Sequence, residues 1–260
     1  MLSVSFTAEF DNVPPLNVLY SDNHLLVVDK PAGIATMGSE AGTPTIARQA
    51  AEYLQHKHHK PGKAFIGVVS RLDRLVSGVL VLARTSKAAS RLSEQIRQQS
   101  VGKFYMALVE GVWPVPAAVE QTSASQPQII PSEAAWCELV DWVAKDESSQ
   151  RMRVVAATTA GAQQARMRVQ LLAHSRIQSL LRVELITGRK HQIRLQLAEH
   201  GTPVCGDSKY GARSHFGQGI ALHCQQVTLT HPTLKTSLTF RSSPVTHWTR
   251  LPQEFLRHLD

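Results

Sequence analysis

Hydrophobic positions along the chain fall into short runs separated by clusters of turn formers. Residues 17–31, NVLYSDNHLLVVDKP, hold two such runs joined by Ser21-Asp22-Asn23, which predicts a β-hairpin with His24 as a turn residue. TPTIARQAAEYLQ predicts a helix capped by Thr43 or Thr45. GVLVLART predicts a strand. SKAASRLSEQIRQQS predicts an amphipathic helix, with Ala88, Leu92 and Ile96 on one stripe and Arg91 and Arg97 elsewhere. KFYMALVEG, ARMRVQLLAHS and SLLRVELIT read as further strands. GRKHQIRLQLAEHG reads as a helix closed by Gly201, and residues 221–243 as a late hairpin. Strands and helices mix without a regular βαβα alternation, so the pattern predicts an α+β fold rather than a doubly wound sheet.

Between these elements the chain is punctuated. Residues 1–14 read as a short arm before Pro14-Pro15, and residues 15–260 as a single domain. Residues 112–133 hold Pro114, Pro116, Pro127 and Pro131 beside a Ser/Gln-rich patch, the composition of a long surface loop. HKHHKPGK is a basic loop. Its His56, His58 and His59 have no acidic or thiol partner nearby in sequence, so a solvated helix end is preferred to a metal site. No repeat of 20 to 50 residues is visible.

Composition narrows the classes. The chain has 260 residues, 43% hydrophobic and 18% charged, ordinary for one sizeable core. Lys and Arg outnumber Asp and Glu by 28 to 20, a formal charge of +8 that favours a polyanionic partner. Cys137, Cys205 and Cys224 form no CxxC and no even framework, so reduced thiols in a cytoplasmic compartment are expected. No apolar run is long enough to cross a bilayer, and neither a signal peptide nor an Arg-rich presequence is expected, the first arginine being Arg48. There is no phosphate-binding Gly-rich loop, no HExxH and no Ser-His-Asp ordering that stands out. No cofactor and no metal are expected.

The segment SRLDRLVSG, Ser70 to Gly78, places Asp73 between Arg71 and Arg74 and ends in a Ser-Gly turn between two apolar runs. A carboxylate held at a strand end on a rigid scaffold is a place for chemistry, and arginine neighbours keep it ionised. Four further segments accompany it: Lys30-Pro31-Ala32-Gly33, Lys103-Phe104-Tyr105, TGRKHQIR from Thr187 to Arg194, and GDSKYG from Gly206 to Gly211.

In this order and spacing the five motifs resemble the RluA-type pseudouridine synthases, over roughly residues 15–243. The resemblance implies a mainly antiparallel sheet of about eight strands flanked by helices, crossed by a central cleft. It implies a member without the S4-like N-terminal domain that many relatives carry. It also implies isomerisation of uridine to pseudouridine in structured RNA, tRNA or rRNA, by a monomer with no membrane partner. Three positions depart from the family pattern: Ser70 stands where His is common, Val76 where Thr is common, and Gln196 where many members have His.

By this resemblance Asp73 starts the reaction, by attack on the nucleotide or by taking a proton from C2′; the sequence leaves both routes open. Tyr105 lies beneath the flipped uracil and assists removal of the C5 proton, and Arg194 pairs with Asp73. Arg71, Arg74, Arg189 and Lys190 are expected to bind RNA, with Arg71 and Arg74 alternatively bracing the Asp73 loop. Lys30 and its turn are read as cleft wall, Asp207 with Tyr210 as a brace for the sheet, and His191 as a hydrogen-bonded packing residue. The alternative is a non-catalytic RNA-binding or assembly protein on the same fold. A carboxylate-pair glycosidase would need a second acid opposite Asp73, and only Asp207 lies in these motifs.

Overall fold

A computed structural model describes residues 15–38, 43–57, 62, 64–114, 128–129, 136–248 and 251–259. The N-terminal arm, His58 and His59, and most of the expected loop at 112–133 lie outside the described residues. The hairpin at the start is β1 (Asn17–Ser21) and β2 (Leu25–Lys30). Its turn is closed by Asp22, whose Oδ1 accepts the N–H groups of His24 and Leu25, each at 2.7 Å. Helix α1 (Ile46–Lys57) follows, and Thr45 is its cap: Oγ1 accepts the Arg48 N–H at 3.3 Å.

The short β3 (Gly67–Val68) and then β4 (Ser77–Ala83) flank the Asp73 segment. Every residue of β2 and β4 is buried, which is why both read as unbroken apolar runs rather than alternating ones. Helix α2 (Ser86–Arg97) starts at Thr85, whose hydroxyl accepts the Ala88 N–H, and it buries Ala88 and Leu92 on the predicted stripe. Strands β5 (Gly102–Glu110), β6 (Gln128–Ile129), β7 (Cys137–Asp146), β8 (Arg151–Val154), β9 (Gln163–His174) and β10 (Gln178–Leu185) precede α3 (Gln192–Glu199). The chain ends with β11 (Leu222–Thr230), β12 (Ser237–Arg241) and the short α4 (Gln253–Leu256).

All twelve strands join one sheet, ordered β1-β2-β4-β11-β5-β10-β9-β7-β8, with β12 on β11, β3 on β4 and β6 on β9. The pairings between strands are antiparallel except β4 with β11, where Ser77 and Gly78 lie opposite His223 and Cys224. The α+β class and the mainly antiparallel sheet are as expected; the sheet is larger than the eight strands anticipated. Strand β7 escapes a pattern search because its exposed face carries Glu138 and Val140 among its buried positions. Two further expectations are corrected. Residues 128–129 are a strand on β9, and Trp113 is buried with its N–H on the Ser179 hydroxyl at 2.8 Å, so that stretch is not wholly surface loop. Helix α3 begins at Gln192, four residues later than the motif suggests, because His191 turns the backbone with φ 54°.

Gly78 shows how the sheet positions the Asp73 loop. Its φ is +111°, and a Cβ there would meet the Cys224 carbonyl oxygen at 2.3 Å and the Cys224 nitrogen at 2.7 Å. Only glycine brings the end of the SRLDRLVSG loop this close to the β11 backbone. Replacement by alanine should cost at least about 3 kcal/mol of stability, read as a large fall in thermal or urea midpoint.

Candidate active site

Two segments clamp the loop that carries Asp73. On one side the Gly33 N–H donates to the Arg74 carbonyl at 2.7 Å, and the Thr36 hydroxyl donates to the Leu72 carbonyl at 2.8 Å while its oxygen faces the Leu72 N–H at 3.1 Å. On the other, the Ile220 N–H donates to the Leu75 carbonyl at 3.1 Å. Lys30, fully buried, donates to the carbonyls of Pro31 and Ile34, both at 2.8 Å, and reaches that of Arg74 at 3.4 Å. Burial lowers the Lys30 pKa to about 7, against the pull of the Asp73 charge. The Lys30-Pro31-Ala32-Gly33 turn is therefore more than a wall: it fastens the backbone on which Asp73 sits.

Asp73 is held at both oxygens. Oδ1 accepts the Leu75 N–H at 3.0 Å, an Asx turn of the loop on itself. Oδ2 accepts Arg194 Nη1 at 2.7 Å and lies 3.0 Å from His191 Nε2. Burial alone would raise its pKa. His191, the Leu75 amide and Arg194 outweigh burial and hold the carboxyl well below the usual carboxylate range. Asp73 keeps 20% side-chain exposure and faces the cleft, so the ionised group is reachable.

Arg194 is 3% exposed and spans two carboxylates. Its Nε and Nη2 fork onto the two oxygens of Asp207, both at 2.6 Å, leaving Nη1 for Asp73. Its guanidinium lies over the Tyr210 ring, 5.0 Å from the centroid. The Tyr210 hydroxyl in turn sits 2.9 Å from His191 Nδ1 and accepts the Met152 N–H at 3.3 Å. His191 is held from both sides, with Nε2 on Asp73 and Nδ1 on the Tyr210 hydroxyl. Its ring is thus spent before α3 begins, and the helix has no side-chain cap.

Helix α3 is buried on nearly every side, from Gln192 to Leu197. A polar chain fixes its rotation. Gln192 accepts the Thr187 hydroxyl at 2.8 Å and the Arg189 N–H at 3.0 Å, and donates to Gln196, which donates to Asp141 at 2.7 Å. Each buried amide finds partners, so the helix can lie inside the protein and aim Arg194 at Asp73.

Tyr105, in the middle of β5 between Val183 of β10 and Cys224 of β11, is 6% exposed. Burial, together with the Cys224 thiol, raises its pKa well above the ordinary phenol value. The ring is a flat apolar wall that stays protonated. Tyr105, Asp73, His191 and Arg194 line one cleft of about 420 Å³. A contiguous recess of about 350 Å³ is edged by Arg71, Arg74, Arg189 and Lys190. Arg71, Arg74 and Lys190 are exposed, whereas Arg189 is half-buried with its Nε on the Gln164 carbonyl at 2.9 Å.

The structure thus brings Asp73, Tyr105 and Arg194 together from three distant segments and sets the four expected RNA-binding cations at one rim. The sequence reading missed the direct contact of His191 with Asp73. Its ring reaches Asp73 because the backbone turns left-handed at His191, just before α3, and the sequence carries no signal of that turn. Asp207 braces Arg194 rather than the sheet. No cluster of residues suited to a metal ion occurs among the described residues.

The site thus holds a fixed, ionised carboxylate beside an aromatic wall, under a cationic rim. The sequence profile of the RNA pseudouridylate synthase family matches residues 24–199, and the chain belongs to that family. It is 31% identical over 230 residues to an uncharacterized RNA pseudouridine synthase of Mycoplasma pneumoniae, covering 88% of this chain and 66% of that protein. It is 31% identical to ribosomal large subunit pseudouridine synthase D of Nitrosomonas europaea, covering 84% of this chain and 59% of that one. The chain spans less than two thirds of the length of these curated relatives. In fold it is similar to the human protein RNA Pseudouridylate Synthase Domain Containing 4, with TM-score 0.65 and 22% identity over 94% of this chain and 91% of that one.

Asp207→Asn should remove the counter-charge of a buried guanidinium and turn an amide N–H₂ toward one of its donors. The expected loss is about 3–5 kcal/mol in chemical denaturation, well above that of an exposed pair such as Arg48–Glu52.

Proposed function

We propose that this protein isomerises uridine to pseudouridine in RNA. The observation that carries this reading is Asp73 itself: ionised, tied at Oδ2 by Arg194 and His191, and open to the cleft that Tyr105 walls. The reaction breaks the N1–C1′ bond, turns the base and joins C5 to C1′, with no redox change and no energy input. A carboxylate suffices to begin it, by bonding to the nucleotide or by removing the C2′ proton. Oδ1 carries one hydrogen bond where Oδ2 carries two, so Oδ1 is the oxygen with a lone pair to spare.

A uridine inside a helix cannot reach this group, so the target base leaves its stack and enters the cleft. Tyr105 offers it a stacking face. Its raised pKa argues for a platform and neutral hydroxyl rather than a phenolate base. Arg71, Arg74, Arg189 and Lys190 are placed to hold the phosphates on either side. Ribosomal RNA is the substrate favoured, because several relatives carry ribosomal large subunit pseudouridine synthase names. The cytoplasm is the favoured location, in keeping with three free cysteines. The non-catalytic alternative has no observation in its favour: a pure binder has no use for the Asp73–Arg194–Asp207 chain.

Mapping pseudouridines in total RNA from cells with and without the gene would identify the modified uridine. Asp73→Asn keeps the shape and removes the charge. Its expected outcome is a loss of turnover of about 10³-fold or more with RNA affinity little changed, and a fall in melting temperature smaller than that of Asp207→Asn because Arg194 keeps its fork on Asp207. Measurable turnover near the wild-type rate by this variant would overturn the assignment.

Binding itself should be electrostatic. Log affinity is expected to fall linearly with log salt, by about 0.7 per phosphate contacted on single-stranded RNA. Neutralising Arg71 or Lys190 should reduce that slope by about one contact each, and titrations at three or more salt concentrations read it directly.

A further inference from the structure

When the N1–C1′ bond breaks, its electron pair stays on the uracil ring. Asp73, an anion, cannot stabilise that charge. Arg194 is committed elsewhere, with Nε and Nη2 on Asp207 and Nη1 on Asp73. Charge that develops in a water-poor site calls for a donor already in place.

Lys103 answers that description. It precedes Tyr105 by two positions on β5, so the two side chains share one face of the strand. It lines the cleft together with Asp73, Tyr105 and Arg194, and also a narrow recess beside Tyr105 walled by Val79, Val81, Leu92, Cys224 and Val227. Among the described residues no carboxylate pairs with it. Burial lowers its pKa from the ordinary lysine value, opposed by the Cys224 thiol. That thiol is itself pushed up to about 12 by burial, so at neutral pH it is no counter-ion. Lys103 is half-buried in the cleft wall, and a partly desolvated ammonium without an anion is relieved by an arriving negative charge.

We propose that Lys103 is a further catalytic residue, whose ammonium donates to a carbonyl oxygen of the uracil ring and stabilises the negative charge that leaves C1′ with the base. The inference rests on reading the cleft as a pseudouridine synthase site. The bonds balance within the isomerisation. N1–C1′ breaks with its pair on the ring, delocalised onto the carbonyl oxygens, while C1′ is taken up by the Asp73 carboxylate or the sugar gives its C2′ proton to it. C5 then bonds to C1′ as the Asp73–C1′ bond breaks, or as Asp73 returns its proton to C2′; the C5 proton leaves to solvent, and N1 takes up a proton. Lys103 holds the detached ring through its rotation and need not transfer its own proton.

The test compares Lys103→Met, which keeps length and removes charge, with Lys103→Arg, which keeps charge. The probe is a ribosomal RNA transcript carrying tritium at uridine C5, whose release reads the isomerisation. Lys103→Met should slow single turnover by about 10²–10³-fold while RNA affinity stays within about threefold, and Lys103→Arg should recover at least about a tenth of the wild-type rate. With 5-fluorouridine at the target position the ring leaves more easily, so the Lys103→Met defect, read as disappearance of that nucleoside, should shrink by about tenfold or more. If Lys103→Met melts early, Lys103→Gln carries the same comparison. A variant as fast as wild type, a defect equal on both substrates, or a loss that arginine does not restore overturns the role of Lys103 alone. Wild-type protein that binds these transcripts and releases no tritium overturns the isomerase reading and this inference with it.

Discussion

One guanidinium between two carboxylates organises this protein. Arg194 is inside the molecule, its fork closed on Asp207 and its last nitrogen on Asp73. A buried ion pair is weak evidence for stability, since desolvation offsets most of the attraction. Its use here is placement. A forked contact to Asp207 fixes the plane of the guanidinium, and that plane fixes where Nη1 points. Three stretches of chain, the β4 loop, α3 and the turn at Asp207, then have one mutual arrangement. The His191 and Leu75 N–H groups share the remaining negative charge of Asp73, so the site stays anionic without an unpaired oxygen deep inside.

How much of this could be read from the amino acids divides along a physical line. Strands buried on both faces announce themselves as apolar runs, and β2, β4 and β5 were legible for that reason. Strand β7 was not, because Val140 stands exposed beside Glu138 and breaks the alternation of apolar and polar positions. The site was legible as a set of short motifs whose order carried more information than any one of them. What the motifs could not convey was which side chains touch. His191 read as a packing residue because sequence carries no sign of a left-handed backbone at that position, and it is that turn that places its ring between Asp73 and Tyr210. Asp207 read as a brace for the sheet for a similar reason: its partner is 13 residues away around a turn.

The departures from the family pattern acquire local explanations. Val76 is 3% exposed and contributes only its backbone N–H, to the Asp73 carbonyl at 3.1 Å, so a hydrocarbon side chain fits there. Gln196 is fully buried in a run of amides and acids that needs both a donor and an acceptor, and a glutamine supplies both. Ser70 lines the cleft, and nothing in the structure explains its choice over histidine. None of the three alters the contacts of Asp73 with Arg194.

The parallel pairing of β4 with β11 has a consequence in time. The Ser77 hydroxyl meets the His223 ring across 146 positions of chain, and Asp73 meets Arg194 across 121. Contacts of such long range form late, after the intervening segments have emerged and collapsed. A nascent chain on the ribosome therefore carries the basic Asp73 loop long before it carries the residues that orient the carboxylate. Until α3 and β11 are made, the polypeptide carries the charge of that loop without the Arg194 and His191 that orient its carboxylate. The Asp73 carboxylate is aligned only once α3 and β11 have docked onto the β4 loop.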